Sequence, residues 1–174
     1  MKNKIIFILF SSFILILFIG LFTNTRIINS PLIGKELPSF NLPLLGSTEI
    51  VNMQILPKEP FLLNVWASWC LECIKEHGEL MRINKDKNIQ IIGINYKDEK
   101  QDATGWLDIY GDPYTYNLYD YDGQFAINLG VYGVPETFLV DKYRIIRAKY
   151  IGAITNEIYY NEIIPLIKEL NDQN

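Results

Sequence analysis

Histidine and cysteine are scarce in this chain. Its 174 residues include one histidine, His77, and two cysteines, Cys70 and Cys73. A structural zinc site needs four ligands, so these three side chains alone cannot complete one. An excess of positive charge is also lacking, since the formal net charge is −4, which argues against a nucleic-acid-binding protein. The sequence contains no internal repeat and no low-complexity tract.

Long hydrophobic runs are absent except at the N-terminus. Residues 5–22 carry no charge, and only Ser11, Ser12 and Gly20 interrupt the large apolar side chains. As a helix this run would extend about 27 Å, close to the thickness of bilayer hydrocarbon. It is long for the core of a signal peptide, and no small-x-small cleavage pattern follows it. We therefore expect an uncleaved transmembrane signal anchor, with a cleaved signal peptide or a buried core helix as the alternatives.

The charges that flank this run predict its orientation. Lys2 and Lys4 precede it and only Arg26 follows closely, so the positive-inside rule keeps the N-terminus in the cytoplasm and exports the remainder. The length suits one domain with a short appendage. We expect a single-pass membrane protein with a cytoplasmic N-terminus at 1–4, the anchor at 5–22, a linker at 23–36 and an exported domain at 37–174 that faces an oxidising compartment.

The exported part alternates between strand and helix patterns. Two nearly continuous apolar runs, 61–67 and 88–95, predict buried central strands. The order β-α-β-α-β-α-β-β-α indicates an α/β fold, a central mixed sheet flanked by helices. The other expected elements are short strands at 40–44, 48–52 and 116–119, helices at 71–85, 100–110 and 123–129, hairpin strands at 137–140 and 144–150, and a C-terminal helix at 155–170 in which Pro165 favours a kink.

The two cysteines lie where the first buried strand gives way to the first helix. Cys70 and Cys73 form a Cys-x-x-Cys motif preceded by Trp69, an order typical of thioredoxin-like redox sites. A disulfide across so short a loop is a poor structural staple and a good reversible switch. The N–H groups and dipole of a helix N-terminus favour a thiolate, which predicts Cys70 as the attacking, more exposed sulfur and Cys73 as the resolving thiol. This redox-active pair is the only redox group that the sequence predicts, and no further cofactor is expected.

A second motif, Gly133-Val134-Pro135-Glu136-Thr137, precedes a predicted strand. Thioredoxin-like proteins place a cis-proline at such a position, facing the cysteines, and we expect Pro135 to be cis; a trans proline that opens a strand is the alternative. A cis bond exposes the backbone of Val134 for strand-like pairing with a peptide. Val134 and Pro135 are therefore the predicted substrate-binding residues.

Three glutamates are expected to tune the sulfurs. Glu76 follows Cys73 by three residues on the same helix face, where it can accept the thiol proton or raise the thiol pKa; a solvated surface glutamate is the alternative. Glu136 is expected to be a partly buried acid near the sulfurs or a contact for a basic substrate. Glu72 lies between the cysteines, and its charge is expected to oppose a Cys70 thiolate, which favours the disulfide and makes the reduced pair a better electron donor.

Three further side chains complete the predicted site. Trp69 abuts Cys70 and is expected to shield or contact its sulfur. Asn64, six residues before Cys70, is expected either to support proton transfer and hydrogen bonding at the site or to be a satisfied structural amide. His77 is expected on the helix surface, although Cys70, Cys73 and His77 together give one alternative function, a metal chaperone.

Four stretches of the sequence carry a resemblance to one protein family. They are residues 64–73, the pair Glu76-His77, residues 93–98 and, most specifically, residues 130–141. The chain resembles the membrane-anchored thioredoxin-like proteins of cytochrome c maturation, the thiol:disulfide interchange proteins called DsbE or CcmG. Leu71-Glu72 departs from that family, which usually has a proline between the cysteines.

The resemblance implies a thioredoxin-like fold and a reductant that is anchored in the bacterial inner membrane and works in the oxidising periplasm, with residues 37–174 as its periplasmic domain. Cys70 and Cys73 match the redox pair, Pro135 matches the cis-proline, and Glu76 and Glu136 match acidic positions. Electrons would come from a transmembrane thiol donor of the DsbD or CcdA kind. They would pass to the Cys-x-x-Cys-His disulfide of apocytochrome c, directly or through a haem-assembly partner, before haem attachment. A general periplasmic oxidase or isomerase is the main alternative function.

Overall fold

The computed structural model describes residue 6, residues 10–15, residue 18 and residues 30–172. Within this described part, no helix is long and apolar enough to cross a membrane. The expected anchor at 5–22 lies mostly outside the described residues, as do residues 1–4 and 23–29, so the anchor stays a prediction.

Five strands build the central sheet of the domain. They are β3 (Phe61–Trp66), β4 (Gln90–Tyr96), β5 (Tyr116–Asp120), β6 (Glu136–Val140) and β7 (Ile146–Ile151), and their order across the sheet is β5-β4-β3-β6-β7. β4 is parallel to β3 and β5, whereas β6 is antiparallel to β3 and β7. β1 (Asn41–Pro43) and β2 (Ile50–Asn52) form a separate antiparallel pair. The predicted mixed sheet is confirmed.

Four helices follow the predicted order. α1 spans Leu71–Asp86, α2 spans Lys100–Tyr110 and α3 spans Gln124–Asn128, while a short 3₁₀ turn covers Met53–Ile55. The C-terminal helix, α4, is α-helical at Asn156–Ile158, π-helical over Tyr159–Ile163 and α-helical again over Ile164–Asp172. The interruption expected near Pro165 therefore takes the form of a π-helical turn directly before it, since proline has no N–H to continue the regular ladder.

Successive side chains of β3 point to opposite faces of the sheet, and one layer of the core lies on each face. Leu62 and Trp66 pack in a cluster with the buried sides of α1, α2 and α4. Phe61, Leu63 and Val65 pack on the other face, with side chains from β1, β2 and α3. Because side chains alternate along a strand, Asn64 points with Leu62 and Trp66 toward α1. This register brings a polar side chain under the start of α1.

Candidate active site

The two cysteines occupy the junction between β3 and α1. Cys70 is the N-cap of α1, and its Sγ accepts a hydrogen bond from the Cys73 N–H at 3.0 Å. A disulfide joins the two side chains. Cys70 is 5% exposed and Cys73 is 2% exposed, so both residues are buried, and the roles of attacking and resolving thiol stay a prediction. The N–H groups of this helix start stabilise a thiolate at Cys70 when the disulfide opens.

The loop after β4 fixes the chain that leads into Cys70. The Asp98 carboxylate accepts hydrogen bonds from the Ser68 N–H at 2.6 Å and from the Ser68 hydroxyl at 2.7 Å, and Asn95 Nδ2 donates to it at 2.8 Å. Trp69 Nε1 donates to the Lys97 carbonyl at 2.9 Å, while more than half of the Trp69 side chain stays exposed. Sequence reasoning identified Trp69 but missed Ser68 and Asp98, because their pairing is long-range and no local pattern signals it.

Glu76 is a buried acid on the inner side of α1, one turn after Cys73. It is 1% exposed, and its carboxylate accepts hydrogen bonds from Asn64 Nδ2 and from the Ile154 N–H, both at 2.9 Å. Burial raises the pKa of Glu76 from 4.5 to about 7, although the bonds from Ile154 and Asn64 act in the opposite direction. The alternative of a solvated surface glutamate is wrong. A carboxyl with this pKa can hold or release a proton near neutral pH.

Asn64 links the strand to the buried acid. Its Nδ2 donates to Glu76 Oε1 and to Thr137 Oγ1, both at 2.9 Å, and its Oδ1 accepts from the Tyr114 hydroxyl at 2.8 Å. Burial raises the pKa of Tyr114 well above 10, so this hydroxyl stays a hydrogen-bond donor. The hydrogen-bonding role expected for Asn64 is therefore observed, on Glu76 rather than on the sulfurs.

The Val134–Pro135 peptide bond is cis, as expected from the motif. Val134 is half-buried and packs against the core cluster that contains Cys70 and Cys73, and Pro135 is buried. The Pro135 carbonyl accepts from the Gly152 N–H at 2.9 Å. Within residues 30–172, neither the N–H nor the C=O of Val134 has a backbone hydrogen-bond partner. The backbone of this residue, which packs against the cysteine-containing cluster, is therefore available to pair with an extended peptide.

Glu136 has partners inside the protein. It is 1% exposed, its Oε1 accepts from the Tyr132 N–H at 2.9 Å, and its Oε2 lies 2.9 Å from Lys149 Nζ. Lys149 is as deeply buried as Glu136. The expectation of a contact with a basic substrate is therefore wrong, because this carboxylate faces the interior, where an internal cation compensates its charge.

Glu72 and His77 differ from the sequence-based picture. Glu72 is exposed, and its carboxylate lies 2.5 Å from Lys75 Nζ, so a neighbouring cation screens the charge expected to oppose a Cys70 thiolate. Its effect on the redox balance stays a prediction.

His77 is buried rather than on the surface: its ring meets Trp106 edge-on at 4.4 Å, and its Nε2 lies 3.1 Å from the Tyr110 carbonyl. Burial lowers the pKa of His77.

The placement of His77 argues against the metal-chaperone alternative. The ring packs toward α2 and not toward the sulfurs, which removes the third ligand of that hypothesis. In the part of the chain that the structure describes, no three His, Cys, Asp or Glu side chains come together as a potential metal site.

Comparison with known proteins agrees with the geometry. Residues 32–163 match the Redoxin family. The chain is 46% identical to the thiol:disulfide interchange protein DsbE of Allochromatium vinosum, over 87% of this chain and 84% of that protein. The chain belongs to the DsbE-type thiol:disulfide interchange proteins. A DsbE of Pseudomonas fluorescens biotype C is 37% identical over 99% of this chain and 98% of its own length.

The fold of this DsbE-type chain recurs in solved structures. A DsbF homologue from Corynebacterium diphtheriae superposes with a TM-score of 0.68 at 23% identity, covering 86% of this chain and 95% of that one. The fold is therefore thioredoxin-like, and the Cys70–Cys73 pair makes the protein a thiol:disulfide oxidoreductase.

Proposed function

We propose that this DsbE-type protein is a reductant of cytochrome c biogenesis. It reduces the Cys-x-x-Cys-His disulfide of apocytochrome c, directly or through a haem-assembly partner, before haem is attached. One observation carries the proposal: the redox pair of a DsbE-type chain lies beside a buried carboxyl, Glu76, whose pKa is about 7.

The reaction is a two-electron exchange in two steps. The Cys70 thiolate attacks one sulfur of the substrate disulfide, which forms a mixed disulfide and releases the other substrate sulfur as a thiolate. Cys73 then loses its proton and attacks Cys70, which closes the Cys70–Cys73 disulfide and releases the second substrate sulfur. The substrate gains two electrons, and the protein loses two.

The buried acid supports the second step. Cys73 is almost fully buried, so water reaches its thiol poorly, and Glu76 is one turn away on the same face of α1. When Glu76 is ionised it can take the Cys73 proton as a general base. The free Val134 backbone would pair with the substrate segment during both steps.

We further propose that the domain works in the periplasm, held at the inner membrane by residues 5–22. A transmembrane thiol donor of the DsbD or CcdA kind then returns the disulfide to the dithiol. Support comes from the charge asymmetry around the run at 5–22. A dithiol in an oxidising compartment needs such a donor to remain reduced.

Trapping of the mixed disulfide tests the substrate. In a Cys73→Ser variant expressed in the native cell, the mixed disulfide through Cys70 cannot resolve, so the partner stays attached and can be identified by mass spectrometry. We expect apocytochrome c or a haem-assembly protein. A Cys70→Ser/Cys73→Ser variant is the control and should capture neither.

Capture of unrelated exported proteins alone would contradict the proposed substrate and favour a general oxidase or isomerase. The reduction potential separates these functions independently. A reductant should lie well below the value of about −120 mV typical of a strong oxidant of the DsbA type.

A further inference from the structure

A buried cation lies next to the cis-proline segment. The side chain of Lys149, in β7, is 1% exposed, and its Nζ lies 2.9 Å from Glu136 Oε2 and donates to the Gly130 carbonyl at 2.7 Å. The same Nζ is 4.4 Å from the centre of the Tyr132 ring, which is itself largely exposed. A lysine ammonium has three N–H donors, and here it lies near two oxygens and two ring faces, that of Tyr132 and, at 5.4 Å, that of Phe138 in β6.

Three of these four partners belong to one segment, residues 130–136, whereas the fourth, Phe138, lies within β6. Gly130 is its first residue, Tyr132 lies within it, and Glu136 is its last residue. Glu136 also accepts a hydrogen bond from the Tyr132 N–H, so the contacts of Lys149 and Glu136 together connect the beginning, middle and end of the segment. The same segment contains Val134, whose backbone has no backbone partner and which packs against the cysteine-containing cluster.

The hairpin of β6 and β7 does not depend on this cation. Lys149 is the Cα partner of Phe138, and backbone pairing from Glu136–Ile151 to Val140–Ile146 already joins the strands. The ammonium also extends past the ring of its strand partner to the segment 130–136, whose last residue, Glu136, begins β6. Among the described residues, backbone contacts hold that segment at its two ends, at Gly130 and Val131 and at Pro135 and Glu136, and residues 132–134 have no backbone–backbone hydrogen bond. Between them, the contacts of Glu136 and Lys149 restrain it.

We infer that Lys149 is a positioning residue that fixes the Val134 backbone for pairing with a partner peptide. The inference rests on the proposed docking of an extended substrate segment at Val134. A loosened segment would pair less often in the correct geometry, whereas a small disulfide needs no backbone pairing and would react as before at Cys70. Lys149 itself touches neither the sulfurs nor the substrate.

The test compares disulfides of different size on the reduced full-length protein. Its oxidants are oxidised glutathione, a peptide with an oxidised Cys-x-x-Cys-His loop, and an unrelated disulfide peptide. For Lys149→Met we expect KM for the peptides to rise about tenfold while kcat changes less than about threefold, with a much smaller effect on glutathione. Lys149→Arg should restore most of the peptide KM, since it keeps the charge. Lys142→Met, in the β6–β7 turn, is the matched control, because Lys142 also lies over a tyrosine ring, but that ring is Tyr143 of the turn and not part of the segment.

A second variant separates positioning from the cost of an unpaired buried charge. In Lys149→Met/Glu136→Gln no buried carboxylate is left without its cation, and the peptide KM should still be raised. Equal losses with all three oxidants, or an unchanged peptide KM in a folded variant, would overturn the inference. If the wild-type protein shows no preference for the Cys-x-x-Cys-His peptide over the unrelated one, the proposed substrate fails instead, and the Lys149 comparison is decided on the unrelated peptide.

Discussion

The buried carboxyl of Glu76 makes the stability of this fold depend on pH. Its pKa is about 7 in the folded protein against 4.5 in an unfolded chain, because burial disfavours the ionised form. A raised pKa means that the favourable contribution of the protonated acid is complete below pH 4.5 and is lost as pH rises through 7. The difference corresponds to about 3 kcal/mol of folding free energy.

We therefore predict that Glu76→Gln removes this pH dependence. The oxidised wild-type protein should lose stability between about pH 4 and pH 8 relative to Glu76→Gln, by about 3 kcal/mol in total, as measured by denaturant unfolding at each pH. Glu157→Gln, an exposed position in α4, is the control and should follow the wild type. Parallel stability curves for wild type and Glu76→Gln would contradict a titrating buried acid.

The same residue governs a kinetic prediction. If Glu76 accepts the Cys73 proton, the rate of mixed-disulfide resolution should rise with pH through about 7 in the wild type. Glu76→Gln should lower that rate about 100-fold at neutral pH and remove the inflection near 7. Stopped-flow measurement of the second exchange step would check this, and the first step, at Cys70, should change much less.

At the scale of elements, the connection between β3 and α1 depends on Asp98. Its two carboxylate oxygens accept three hydrogen bonds, two of them from Ser68, and the side chain is 3% exposed. Asp98→Asn replaces an acceptor with an NH₂ group that faces donors, so we predict a loss of about 1–3 kcal/mol in the free energy of unfolding.

Denaturant unfolding would measure this loss, with Asp102→Asn as the control. Asp102 is an exposed acid in the first turn of α2, and its replacement should change stability by less than about 0.5 kcal/mol. Two variants of equal stability would show that the Asp98 contacts do not hold the connection.

The elements differ in how far the sequence predicts them. Apolar runs and turn residues are local signals, so β3, α1 and the hairpin of β6 and β7 follow from the pattern alone. The partners of buried polar groups are set by tertiary packing. Glu76 accepts a hydrogen bond from Ile154, 78 residues away in sequence, and Asn64 donates one to Thr137, 73 residues away. His77 was misplaced for the same reason, since only the packing of α2 onto α1 buries it.

At the scale of the whole molecule, the site is a meeting point of distant segments. α1 supplies the cysteines and Glu76, β3 supplies Asn64, and the segment before β6 supplies the free backbone of Val134. The Cys-x-x-Cys motif and the proline motif each carry a sequence signal, so both could be found in advance. The ion pair of Lys149 and Glu136 has no such sequence signal, because a lysine in a strand is ordinarily solvated.

The redox state should change the stability of the entire fold. Folding and oxidation form a thermodynamic cycle: a disulfide that the fold favours lowers the reduction potential and makes the oxidised protein more stable than the reduced one, by about 1.4 kcal/mol for each 30 mV. Both cysteines are buried, and burial disfavours the thiolates of the reduced form; for a reductant we expect this effect to outweigh the stabilisation that the helix start gives to a Cys70 thiolate. We predict a higher denaturant midpoint for the oxidised protein, as a reductant requires.

Denaturant unfolding curves recorded with and without dithiothreitol would measure this difference in midpoint. Cys70→Ser/Cys73→Ser should give one midpoint under both conditions, which excludes an effect of the reducing agent elsewhere. A strong oxidant shows the opposite order, because its reduced form is the stabilised one. A reduced protein more stable than the oxidised protein would therefore reject the role of electron donor for this dithiol and favour a general oxidase.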